Sequence, residues 1–262
     1  MERVYLWNET PGMCEEIPYI DIYIPEEKKS DAAVLVFPGG GYIRRADHER
    51  ENYAKFLNAH GITAFIGGYR VSPHFFPLPL LDARRCMRYI RANAEKFGIN
   101  KNKIAAMGSS AGGHLAAMLS TYTKPIDFEG LDEIDQEDYM PNLQILCYPA
   151  IDQPSDDSYT HNVSYMNLIG KRDPELETAI NPVNNVRETT PEAFFFHTNA
   201  DPGVSVIHSY VYATALRRKN IPVEMHVFPD GGHGLGLAPN HPHTAQWSGL
   251  LINWLKRLGW IE

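Results

Sequence analysis

The chain reads as an α/β protein built on a mostly parallel, doubly wound sheet with helices on both faces. Three observations point there. Short apolar runs recur along its 262 residues at the spacing of buried strands. Helical patterns separate most of them. Glycine-rich turns sit where several of those runs end.

The first run, Tyr19 to Pro25, alternates polar and apolar residues and stops at a proline, as a half-exposed, antiparallel edge strand does. Ala32 to Phe37 is continuously apolar, as expected of a strand covered on both faces. Ile62–Ile66, Ile104–Met107, Leu143–Tyr148, Ala193–Phe196 and Val223–Phe228 complete the set. Between them, Asn52 to His60 predicts a helix ended by Gly61. Leu81 to Phe97 predicts another, with Ala83, Met87, Ile90 and Ala94 on one face and Gly98 as its cap. Ser205–Lys219 and Thr244–Leu258 predict two more. The whole chain, 1–262, is expected to form a single domain. Two stretches break the alternation. Lys124 to Met140 is acidic and poorly periodic and reads as a solvated excursion. Gln153 to Val186, rich in Ser, Asp, Asn, Tyr and Pro, is long enough for a small cap or lid over a site.

Composition narrows the function classes. Hydrophobic residues make up 44% and charged residues 21%, ordinary for a globular chain. A net charge of −8 with no basic stripe argues against nucleic acid or an anionic membrane as partner. The leading residues carry no apolar signal core, and no stretch has the length of a membrane span. The three cysteines, Cys14, Cys86 and Cys147, are far apart and without a C-x-x-C spacing. They read as buried free thiols of a reducing, cytoplasmic compartment.

The chemistry gathers at strand ends. Gly108-Ser109-Ser110-Ala111-Gly112 follows the run ending at Met107 and opens a helical stretch. Flanking glycines leave room for a strained turn that lifts the Ser110 hydroxyl out of the sheet. The helix N-terminus places free N–H groups beside it. Asp201 follows the run ending at Phe196, and His233 the run ending at Phe228. Ser110, Asp201, His233 is the nucleophile, acid, base order of hydrolases with this topology. His233 would take the serine proton, and Asp201 would orient the imidazole. Asp152 also follows a strand and competes for the acid's place, although the expected acid comes one strand later.

Oxyanion donors are expected from the Ala111 N–H and from Gly40 and Gly41 in Pro38-Gly39-Gly40-Gly41-Tyr42. Tyr42 and Ser109 are candidate substrate contacts. Phe75, Phe76, Tyr159 and Tyr165 could line a pocket, but each also suits plain packing. Arg70 reads as a structural hydrogen-bonding residue and Asp82 as a helix cap or first-turn residue. His114, His197, His208 and His226 read as packing or surface residues. His241 and His243 lack further metal ligands nearby, so no metal is expected.

Together, Pro38–Tyr42, the run Gly108 to Leu115, and Gly231-Gly232-His233-Gly234-Leu235-Gly236 resemble the α/β-hydrolase superfamily over nearly the whole chain after about residue 20. Within it they look most like the small bacterial acetyl-esterase and acetylxylan-esterase-like group related to hormone-sensitive lipase. The resemblance implies a serine carboxylic-ester hydrolase that needs no cofactor. It would remove short acyl groups, often acetyl, from small alcohols, acetylated sugars or oligosaccharides. It also implies a possible homo-oligomer. Two positions depart from the group: Pro38 stands where many relatives have histidine, and Thr198 follows His197 where a glycine is usual. A formamidase or other amidase could use the same triad, and a silent member of the fold could bind a small ligand instead.

Overall fold

A computed structural model describes residues 1–12, 15–151 and 162–262. Cys14, Asp152, Tyr159 and the first part of the expected cap lie outside the described residues.

Eight strands form one sheet in the order β1-β2-β4-β3-β5-β6-β7-β8. They are β1 Glu2–Tyr5, β2 Tyr19–Tyr23, β3 Ala33–Phe37, β4 Thr63–Gly68, β5 Ile104–Ser109, β6 Leu143–Cys147, β7 Glu192–Thr198 and β8 Val223–Phe228. β2 pairs antiparallel with both β1 and β4, and the other pairings are parallel. All seven runs read from the sequence are strands, but β2 is not the half-exposed edge expected of it: it is largely buried and lies between β1 and β4. The extra one, β1, is a mostly exposed edge strand with no apolar pattern to announce it.

The helices are α1 Glu51–Ala59, α2 Leu78–Ala92, α3 Ala94–Phe97, α4 Ala111–Thr121, α5 Asn162–Ile169, α6 Pro174–Ile180, α7 Ile207–Arg218 and α8 Gln246–Arg257. The helix expected over 81–97 starts earlier, behind Pro77, and breaks at Asn93 into α2 and α3. Gly98 ends α3 in the left-handed conformation.

Two cores flank the sheet, because successive strand side chains point to opposite faces. Ala33, Leu35 and Phe37 of β3 join the core packed by α2, α4 and α7. Val34 and Val36 join the core packed by α1 and α8. On the second face Trp247 of α8 stacks on Phe196 of β7, with ring centroids 4.6 Å apart and planes 4° from parallel.

Four arginines on α2 correct the reading of 124–140 as a solvated excursion. Arg84 and Arg88 pair with Glu129 at 2.8 and 2.9 Å, and Arg85 pairs with Asp132 and Asp135 at 2.6 and 2.9 Å. Arg91 donates to the carbonyls of Asp138 and Met140. The excursion is the counter-charge to a helix face whose guanidiniums are largely buried. Asp82 is corrected too. It is not a cap, for its fully buried carboxylate accepts from the Arg70 N–H at 2.8 Å and from the Arg70 guanidinium at 2.6 Å.

The strand order places the functional end of the sheet. The chain passes from β3 to β4 on one side, then crosses back to lay β5 on the other side of β3. The carboxyl ends of β3 and β5 therefore flank the crevice where the winding reverses, the usual place for a ligand in such a sheet.

Trp247 is fully buried, and its Nε1 donates to the Gly236 carbonyl at 3.2 Å. Trp247→Ala should therefore lower stability by about 3–5 kcal/mol in a urea titration. A loss within experimental error would mean that α8 repacks without it.

Candidate active site

Ser110 sits at the turn between β5 and α4 with φ 53° and ψ −119°, a backbone conformation that L-residues rarely hold. Its neighbours explain how the turn fits. A Cβ on Gly108 would meet the Gly112 carbonyl oxygen at 2.1 Å, and one on Gly112 would meet the Phe37 oxygen at 2.1 Å. Only glycine at both positions lets the turn close against the end of β3.

The Ser110 hydroxyl lies 2.8 Å from His233 Nε2, and His233 Nδ1 lies 2.8 Å from Asp201 Oδ2. An ionised carboxylate only accepts, so Nδ1 carries the imidazole proton and Nε2 is left to accept from Ser110. Asp201 is well provided with donors. Its Oδ1 accepts from Gly203 N and Val204 N at 2.8 and 2.9 Å, and buried His197 stands 3.5 Å from Oδ2. Burial alone would raise this carboxyl, but His197, His233 and the Val204 N–H together hold it well below the usual carboxylate range.

The loop after β3 is held peptide by peptide. The Tyr69 hydroxyl donates to the Pro38 carbonyl at 2.6 Å. Ala46 N donates to Gly39 O at 2.8 Å, and Ile43 N and Arg44 N donate to Gly40 O at 3.2 and 3.3 Å. The Asn167 amide of α5 donates to Gly41 O at 2.7 Å. In a planar trans peptide the N–H opposes the carbonyl of the preceding residue, so the bonds to Gly39 O and Gly40 O set where the N–H groups of Gly40 and Gly41 aim. The Ala111 N–H, first in α4, has no acceptor within the helix. Gly40, Gly41, Ser110 and His233 line one cavity of about 530 Å³.

Not every candidate reaches it. Ser109 is fully buried, and its hydroxyl lies 3.0 Å from the Tyr53 hydroxyl rather than in the cavity. Tyr42 is also buried, with its hydroxyl 2.8 Å from His114 Nδ1. Both expected substrate contacts are corrected to packing residues, because the elbow turns the Ser109 side chain inward and the Tyr42 ring lies under the loop. Burial drives the His114 pKa down to about 3, so its ring is neutral. Tyr165 is buried and bonds to the Ile151 carbonyl, and Phe76 packs on Tyr122. Among the described residues no group of three His, Cys, Asp or Glu side chains could hold a metal ion. Cys86 and Cys147 are buried free thiols.

Glu49 was not singled out by the sequence. It is 2% exposed and lines the same cavity. One oxygen accepts from Gly39 N at 2.6 Å and the other from the Tyr148 hydroxyl at 2.7 Å. The Tyr148 oxygen also accepts from Gly236 N at 2.8 Å, and its ring packs edge-on against His233 with centroids 5.3 Å apart. A single carboxylate thus braces both the glycine loop and the histidine loop. Its only sequence signal is a charged residue ten positions after Gly39, which nothing distinguishes from a surface glutamate. The two departures from the resembled group also find their place. Pro38 needs no side-chain donor because Tyr69 and Glu49 fix its peptide, and the Thr198 hydroxyl donates to Gly231 O at 2.8 Å, pinning the histidine loop.

The BD-FAE family model matches residues 20–216. The chain belongs to the BD-FAE family. It is 34% identical over 256 residues to endo-1,4-beta-xylanase B of Butyrivibrio fibrisolvens, covering 94% of this chain and 40% of that protein. It is 31% identical over 242 residues to an acetylxylan esterase of Xylanibacter ruminicola, covering 90% and 47%. The chain thus spans less than half the length of either relative. Among solved structures, the acetyl ester-xyloside bifunctional hydrolase of Caldicellulosiruptor lactoaceticus superposes with a TM-score of 0.92 at 36% identity, covering 100% of this chain and 97% of that one. The fold of this BD-FAE chain is the α/β-hydrolase fold. No helix among the described residues is long and apolar enough to cross a membrane.

Two expectations follow from the site. Removing the Glu49 carboxylate orphans the Gly39 N–H and frees both loops, so Glu49→Ala should lower kcat by about 100-fold with little change in KM. Glu49→Gln, which keeps the shape, should recover most of that loss in steady-state assays. The second concerns pH. The folded Asp201 carboxyl titrates below its unfolded value of about 3.9, so its stabilisation is complete above that pH and lost as pH falls through the folded value. The Tm gap between wild type and Asp201→Asn should therefore be widest near neutrality and narrow in strongly acid solution. A gap independent of pH would contradict this account of Asp201.

Proposed function

We propose that this protein is a serine carboxylic-ester hydrolase that removes short acyl groups, acetyl above all, from small alcohols or sugars. The observation that carries the reading is the relay from Asp201 through His233 to the Ser110 hydroxyl, in a cavity that Gly40 and Gly41 also line.

Ser110 Oγ attacks the acyl carbonyl as its proton passes to His233 Nε2. Charge developing on the carbonyl oxygen is met by the N–H groups of Gly40, Gly41 and Ala111, each worth about 3 kcal/mol in the transition state. Asp201 keeps the imidazole in its tautomer and stabilises the cation that forms. The cation then gives its proton to the leaving alcohol oxygen, and an acyl-enzyme remains. Water enters, His233 takes its proton, and the acid departs from a regenerated Ser110.

The acetyl preference and the sugar alcohol are supported by the relatives named for acetylxylan esterase and acetyl ester hydrolysis. In the same reading the chain is a single α/β-hydrolase domain, and the described part of the insertion, 162–186, caps the site. Helix α5 supports the cap, for Asn167 holds the glycine loop, and Leu168 O accepts from Phe76 N at 2.7 Å. A reducing, cytoplasmic setting suits the buried thiols of Cys86 and Cys147.

The test is hydrolysis of p-nitrophenyl esters from acetyl to octanoyl by wild type and Ser110→Ala. Turnover should fall with acyl length, and the variant should lose at least about 10³-fold in kcat, the scale on which such triads fail. No Ser110-dependent turnover of any ester would overturn the reading, and turnover of aryl formamides instead would establish the amidase.

A further inference from the structure

Arg44, Arg45 and Arg50 follow the glycine loop, and the fold uses them differently. Arg45 pairs with Glu16 and donates to the Tyr69 carbonyl. Arg50 reaches Asp21 at 3.1 Å and Asp47 at 3.5 Å. Both guanidiniums also face the Tyr19 ring, at 6.0 and 5.9 Å from its centroid. These two tie the segment to β2.

Arg44 turns the other way. It is exposed, it lines the cavity that holds Ser110 and His233, and among the described residues no carboxylate pairs with it. Its stem is anchored over the loop, for a Cβ on Gly40 would meet Arg44 O at 2.3 Å and Arg44 Cγ at 3.0 Å. The other ionisable groups of the cavity are engaged. Glu49 accepts from Gly39 N and the Tyr148 hydroxyl, His48 Nε2 donates to the Gly234 carbonyl at 2.8 Å, and His233 stands between Asp201 and Ser110. Among the described residues, the Arg44 guanidinium is the charged group of this wall left to meet a ligand.

A guanidinium offers a planar fork of N–H donors under a permanent positive charge, and a carboxylate matches it. A neutral ester gives it nothing that water does not. An acetyl group has no room for a carboxylate, so the charge belongs to the alcohol. The net charge of −8 repels anions from the molecule as a whole. That field is screened over about 8 Å at physiological salt, and Arg44 acts within this distance.

We propose that Arg44 recognises a carboxylate on the alcohol part of the substrate, so that O-acetylated hydroxy acids are taken in preference to neutral acetates. The proposal rests on the ester-hydrolase reading and adds the charge of the leaving group and the residue that meets it.

Two pairs of esters test it: 3-acetoxybenzoate and 4-acetoxybenzoate, each against its own methyl ester. Within a pair the acyl group is the same and the alcohol differs by one charge. The readout is the ratio of kcat/KM values, carboxylate over methyl ester. Loss of folded enzyme lowers both rates equally and leaves that ratio where it was. For at least one isomer the ratio should fall about fivefold in Arg44→Gln, through KM, and further in Arg44→Glu. Arg44→Lys should lie between wild type and Arg44→Gln. Added NaCl at about 0.5 M should bring the wild-type ratio towards that of Arg44→Gln. A ratio that Arg44→Glu leaves unchanged for both isomers would overturn the proposal. So would an Arg44-dependent preference for monoethyl over diethyl succinate with none among the acetoxybenzoates, which places the charge on the acyl part. Failure of the ester-hydrolase reading looks different, since wild type would then show no Ser110-dependent turnover of any of these esters.

Discussion

The site depends on one steric constraint, the closeness of the serine turn to the end of β3. Phe37 and Gly108 are register partners, and Gly112 rests against the Phe37 carbonyl with no room for a methyl group. The strained Ser110 backbone and the glycine loop that starts at Pro38 are thereby fixed against each other before any substrate arrives. Strain of this kind costs on the order of 1–3 kcal/mol and persists only where the surroundings over-determine it. Here β5 is paired on both sides, and α4 is buried along its whole length. The sheet's interior supplies the restoring force that the turn lacks.

Buried carboxylates do the remaining alignment, each in its own way. Asp201 is surrounded by donors and stays ionised, so it faces the imidazole with a full charge. Glu49 ties the glycine loop to Tyr148, whose hydroxyl carries the brace on to the histidine loop at Gly236. Asp82 lies under Arg70, away from the chemistry, and ties the segment after β4 to the start of α2. In a low-dielectric interior each would be costly without its partners. Every donor placed on them is therefore both a stabilising contact and a geometric restraint.

Much of this was legible in the residues, and the pattern of what was not has physical causes. Most buried strands announce themselves as apolar runs, and all seven runs read from the residues are strands, although the alternation of Tyr19–Tyr23 hid that β2 is buried between two partners. β1 does not announce itself, because an exposed edge strand held by backbone pairing and by the Arg3–Asp21 ion pair carries no apolar pattern. Ser110, Asp201 and His233 were legible because glycine-marked turns follow strands in a fixed order. Ser109 and Tyr42 misled because adjacency in sequence to a nucleophile says nothing about which way a side chain turns. The acidic stretch 124–140 misled for a related reason. Its charges read as solvated until α2 brings four arginines against them, and partners more than thirty-five residues away leave no local trace. Glu49 is the same case at the site itself.

The bond from Asn167 to the Gly41 carbonyl has a thermodynamic corollary. It makes the placement of α5 and the conformation of the glycine loop two readings of one equilibrium. Any ligand that draws α5 away loosens the loop, and by reciprocity any anion that grips the loop must steady α5 by the same free energy. A tetrahedral inhibitor bound to Ser110 would then slow amide exchange along 162–169, a region it never touches. In that sense the helix above the pocket is a reporter on the chemistry below it.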